Sequence, residues 1–93
     1  MINTVLISRS ALKDLEKVPR HIFVKLNAWK ELVETEGLHE ARKIPGFHDE
    51  PLKGKRMGQR SIRLSKAYRA IYILRKNDQI QFVSIEEVNK HEY

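Results

Sequence analysis

The chain of 93 residues contains no cysteine, which excludes disulfide staples and thiolate metal sites. No apolar run approaches the ~20 residues that a membrane-spanning helix needs. The opening MINTVLISRS lacks the basic start and long apolar stretch of a secretory leader. These absences predict a cytoplasmic protein that does not engage a membrane. His21, His39 and His48 are too scattered for a metal-ligand pattern, so neither a metal nor a small-molecule cofactor is expected. With 41% hydrophobic and 32% charged residues, the composition is that of a globular chain, read here as one domain over residues 1–93.

The most informative absence is local. From Pro51 to Asn77 there is no Asp or Glu, while nine basic residues fall in that stretch. Residues 1–50 hold eight basic and eight acidic side chains, and residues 78–93 hold one basic and four acidic. The formal net charge of +6 therefore originates in the middle segment alone. A basic excess concentrated on adjoining strands is a candidate polyanion surface, and nucleic acid is the commonest soluble polyanion. Its binding should weaken with salt.

Apolar spacing gives the elements. Ile2 to Ser8 reads as a strand, and Ser8 or Ser10 supplies the N-cap of a helix carrying Ala11, Leu12, Leu15 and Val18. Pro19 ends that helix and suits the first position of a second one. Ile22, Phe23, Leu26, Trp29, Leu32 and Val33 form one stripe along the second helix, which Gly37 terminates. Trp29 belongs to the core on this pattern. Leu38 to Ile44 adds a helical turn or two, and Pro45-Gly46 breaks the pattern. Three strands follow, Arg60 to Leu64, Tyr68 to Arg75 and Ile80 to Val88, the last two joined by a hairpin at Lys76 to Gln79. The predicted fold is α+β: a small, mainly antiparallel sheet made of the N-terminal strand and a three-strand C-terminal meander. A helical hairpin packs on one sheet face.

Period-two alternation puts Tyr68 and Tyr72 on the helix-covered face. Arg63 and Arg69 then fall on the open face, because a buried unpaired arginine is costly. Solvated basic residues on an exposed sheet are the plain alternative.

The segment LKGKRMGQRSIRLSKAYRAIYILRKNDQIQFVSIEEVNKHEY resembles the C-terminal half of RelE/ParE-superfamily toxins, the toxin halves of bacterial type II toxin–antitoxin pairs. The resemblance rests on Leu52-Lys53-Gly54, Ser61-Ile62-Arg63-Leu64, Tyr68-Arg69-Ala70-Ile71-Tyr72 and Lys90-His91-Glu92-Tyr93, in that order. It implies a metal-independent mRNA endoribonuclease that works on the translating ribosome and inhibits translation. It also implies a cognate antitoxin as partner, beside ribosome, mRNA and ribosomal RNA contacts. The His91-Glu92-Tyr93 ending is similar to the RelE, YoeB and HigB branch. Alternatives are a ParE-like DNA gyrase inhibitor and a non-catalytic basic nucleic-acid-binding module. The chain departs from RelE in carrying Ser61 and Arg63 where two lysines are usual. No carboxylate obviously matches the YoeB base, although Glu86, Glu87 and Glu92 are near in sequence.

Metal-free RNA cleavage needs a proton acceptor for the 2′-hydroxyl, charge stabilisation at the phosphorane and a proton donor for the 5′-oxygen. Arg69 and then Arg63 suit the second task, because a guanidinium forks onto phosphate oxygens and stays protonated. The resemblance makes His91 the general acid and gives Tyr93 a role in base stacking or proton transfer. Lys53, Lys55, Arg56, Arg60 and Lys66 are expected to grip the backbone of mRNA or ribosomal RNA.

Overall fold

The computed structural model describes residues 1–88. Strand β1 (Thr4–Ile7) leads into helix α1 (Arg9–Leu15), helix α2 (Arg20–Glu36) and the single turn α3 (Leu38–Ala41). A 3-10 turn at Pro45–Phe47, the two-residue strand β2 (Glu50–Pro51) and a second 3-10 turn at Gly54–Arg56 follow. The meander closes the chain as β3 (Gln59–Arg63), β4 (Tyr68–Leu74) and β5 (Gln79–Glu87). The five strands are ordered β1-β5-β4-β3-β2. All neighbours are antiparallel except β1 and β5, which run parallel with Val5 opposite Ile80. The α+β reading holds, α3 being the helical turn expected from Leu38, and β2 is added to it.

Local chemistry explains the helices. Ser8 accepts the Ala11 amide at 3.0 Å and is the N-cap of α1. That helix stops at Leu15, three residues short of Val18, where the Glu16 and Lys17 amides tighten onto Lys13 and Asp14. Pro19 is the N-cap of α2 rather than its first helical residue. Gly37 ends α2 with φ 90° and ψ 159°, a conformation essentially reserved for glycine. Lys30 and Glu34 pair along the exposed side at 2.9 Å.

The core lies between the helices and one sheet face. Ile22, Leu26, Trp29 and Val33 of α2 are buried against Ile62, Ala70, Tyr72, Ile80 and Phe82. Trp29, Tyr72 and Phe82 form an aromatic triad with ring centroids 5.2 to 5.9 Å apart, two of the three contacts edge-on. Where β1 ends, α1 takes over the outer edge of β5: Asp14 accepts the Ile85 amide at 2.9 Å. Among the described residues no helix is long and apolar enough to cross a membrane.

Candidate active site

The β3–β4 turn opens a cleft at one end of the sheet. Ser65 holds this turn by accepting the Ala67 and Tyr68 amides at 3.0 and 3.2 Å. The cleft encloses about 310 Å³. Arg63 and Lys66 line it together with Tyr68 and Arg69, and His48 and Glu50 contribute from the segment entering β2. Val88, just past β5, also lines it.

Arg63 and Arg69 stand directly opposite each other across β3 and β4. Like charges in that relation destabilise an antiparallel pair. Partial relief comes from the next strand, where Glu86 is the partner of Arg69 in register and accepts its Nη2 at 3.1 Å. Glu86 also takes both terminal nitrogens of Arg56, and the Ser84 hydroxyl at 3.0 Å. The Arg56 bonds, with help from Ser84 and Arg69, pull the Glu86 carboxyl down to about 2 against the cost of its burial. Glu86 is thus a fixed anion and a poor proton acceptor near neutrality. Arg63 makes no ion pair among the described residues.

The opposite wall is anchored from beneath. His48 adopts a left-handed backbone, φ 48°, at the end of the 3-10 turn. The chain then enters β2 with Asp49 turned inward and its two neighbours at the cleft. The Asp49 side chain is wholly buried. It accepts Arg60 Nε at 2.7 Å and the Tyr72 hydroxyl at 2.6 Å, while Arg42 donates to the same hydroxyl at 3.4 Å. Burial, reinforced by the Asp49 bond, pushes the Tyr72 phenol up to about 12. Arg60 is raised as well: its burial opposes the charge, but Asp49 more than offsets that.

These positions sort the predicted site residues. Arg63, Arg69 and Lys66 meet in the cleft. Lys53 and Lys55 are exposed, flanking and within the second 3-10 turn. Of the two arginines expected to grip RNA beside the lysines, Arg56 is paired with Glu86, and Arg60 is held by Asp49 on the helix-covered side of β3. His91 and Tyr93 lie outside the described residues. The sequence reading missed Glu50 and His48, and also Asp49. The signal available was the alternation of His48, Asp49 and Glu50 just before Pro51, at the edge of the basic stretch. Among the described residues no group of three or more acidic or histidine side chains is placed to hold a metal ion.

No protein-family model matches the chain, and no curated protein sequence matches it. Solved structures match in fold. YafQ from E. coli is similar at a TM-score of 0.72 and 18% identity, over 91% of this chain and 92% of its own. The E. coli DinJ–YafQ toxin–antitoxin complex gives 0.71 and 19%, over 94% and 93% respectively. The archaeal RelE–RelB complex from Pyrococcus horikoshii gives 0.71 and 22%, over 97% and 99%. The chain has the fold of RelE-like toxins.

Proposed function

We propose that this protein is the toxin of a type II toxin–antitoxin pair and cleaves mRNA on the translating ribosome without a metal. One observation carries the reading: Arg63 and Arg69 face each other across two strands, at a cost to the sheet, and both open on a cleft whose other wall bears His48 and Glu50. Such an arginine pair suits the phosphorane, which gathers negative charge as the 2′-oxygen attacks. Glu50 is the carboxylate that lines the cleft, and it takes the 2′-hydroxyl proton. The O2′–P bond forms and the P–O5′ bond breaks. His91 returns a proton to the departing 5′-oxygen, leaving a 2′,3′-cyclic phosphate and a 5′-hydroxyl. Tyr93 stacks on a base beside the cleaved bond. Lys66 at the cleft and the exposed Lys53 and Lys55 hold phosphates of mRNA or ribosomal RNA. The toxin–antitoxin complex among the similar structures supports a cognate antitoxin as the tight partner of this chain.

The test is 5′-end mapping of cellular mRNA after a brief pulse of the protein, beside an Arg69→Ala/His91→Gln control. New ends inside translated codons, absent in the control and lost when initiation is blocked, are expected. Growth arrest with no new ends but with DNA-damage signalling would move the target to gyrase.

A further inference from the structure

We infer that Glu86 is a specificity-determining residue that holds the place of a phosphate and so suppresses indiscriminate binding of single-stranded RNA. The inference rests on the proposed reading of the cleft as an RNA site. Two guanidinium forks and one hydroxyl converge on the Glu86 carboxylate: Arg56 through Nη1 at 3.1 Å and Nη2 at 2.5 Å, Arg69 through Nη2 at 3.1 Å and Nε at 3.4 Å, and Ser84 at 3.0 Å. A phosphodiester would ask for the same donor set, since both anions accept bidentate arginine bonds.

Arg69 belongs to both places. It lines the cleft and is bound to Glu86. A phosphate entering the cleft must therefore compete with Glu86 for the Arg69 fork, whereas Arg63 makes no ion pair among the described residues. The exchange requires no unfolding, because the Arg56 and Arg69 side chains are each 38% exposed and Glu86 is 29% exposed. A ligand with a loosely placed phosphate engages Arg63 and leaves the clamp closed. A strand held in register recruits Arg69 as well. With Glu86 in place, the cluster of Arg56, Arg69 and Glu86 carries one net positive charge rather than two, which lowers the attraction for any polyanion that passes.

The experiment is salt-titrated binding of a 2′-O-methylated, uncleavable single-stranded RNA decamer to the full chain and to Glu86→Gln. The substitution should tighten binding about tenfold at low salt. It should also steepen the log–log salt slope by about 0.7 for each arginine released. A milder variant, Ser84→Ala, removes only the hydroxyl that steadies the carboxylate and should tighten binding a few-fold, so the test survives if Glu86→Gln folds poorly. Discrimination between cleaved and uncleaved codons should fall in both variants. Binding no tighter than wild type in either variant, with an unchanged slope, overturns the role of Glu86 and leaves the nuclease reading standing. Failure of every form to bind the RNA at low salt overturns the inference at its premise, the cleft as a site for free RNA, and the ribosomal cleavage assay then decides the nuclease reading separately.

Discussion

The Tyr72 hydroxyl donates to Asp49 at 2.6 Å, joining the aromatic core to the wall of the cleft. Tyr72 packs its ring against Trp29 and Phe82, while its oxygen meets a carboxylate that solvent does not reach. Asp49 sits between His48 and Glu50, so whatever fixes Asp49 also fixes the residues on either side of it. Packing and site geometry share this contact.

Removing the anchor should therefore damage stability and activity together. Asp49→Ala leaves the Arg60 charge and the Tyr72 hydroxyl without their partner, and breaking such a buried pair costs about 3 kcal/mol or more. For a chain of this length that lowers Tm by roughly 12 °C or more. RNA cleavage at a temperature where the variant remains folded should also fall. Thermal unfolding followed by circular dichroism, paired with a cleavage assay, checks both outcomes.

The same contact gives an alkaline signature. Tyr72 is raised from 10.0 to about 12 in the fold, so the unfolded chain releases this proton first. Its contribution to stability is whole below pH 10 and is lost as pH rises toward 12. Tyr72→Phe keeps the ring, loses about 1 kcal/mol at neutral pH, and should flatten the decline over that interval. Denaturant melts at several pH values between 9 and about 12 measure it. An equal alkaline decline in both proteins would remove Tyr72 as its source.

Glu86 predicts the opposite limb. Its carboxyl falls from an ordinary 4.5 to about 2 in the fold, so the unfolded chain binds the extra proton first. Stability is therefore complete above pH 4.5 and is lost as pH falls through about 2. Glu86→Gln should be less stable at neutral pH and lose less on acidification. Chemical denaturation across that window tests the difference, which raised salt should diminish because the pairs are partly exposed.

Gly37 offers a purely conformational test. Its φ of 90° and ψ of 159° strain any side chain, and a Cβ there would stand 2.6 Å from Met1 Cγ. The Met1 side chain is flexible and can move, so the backbone strain decides the result. Gly37→Ala should cost about 1–3 kcal/mol without altering the cleft. A loss of stability with intact specific activity in the folded fraction is expected.

The regular elements were legible because each depends on local spacing: the α2 stripe of Ile22, Leu26, Trp29 and Val33, the alternation of β4, and the hairpin before Gln79, although Phe23, assigned to the stripe, is exposed. Strand β2 was not, since two residues including a proline carry no periodic signal, and only pairing with Ser61 and Arg60 makes them a strand. Arg63 and Arg69 were legible from alternation because neither residue's face depends on a distant partner. Arg56 and Arg60 were not, because their fates are set by Glu86 and Asp49, which lie 30 and 11 residues away. Charge count alone cannot separate an arginine held by a carboxylate from one kept for a ligand.

The most direct test of the central claim is a cleavage reaction with purified protein, translating ribosomes and a defined mRNA, carried out with the Arg63→Ala, Arg63→Lys and Glu50→Gln variants. The wild-type protein should leave a 2′,3′-cyclic phosphate and a 5′-hydroxyl inside the decoded codon. Arg63→Ala should slow this about 10²–10³-fold, and Arg63→Lys should recover little, since a lysine cannot fork onto two oxygens. Glu50→Gln should slow it comparably, because the carboxylate that takes the 2′-hydroxyl proton is lost. Undiminished cleavage by Arg63→Ala, or no cleavage by the wild-type protein on ribosomes that are translating, would contradict the account.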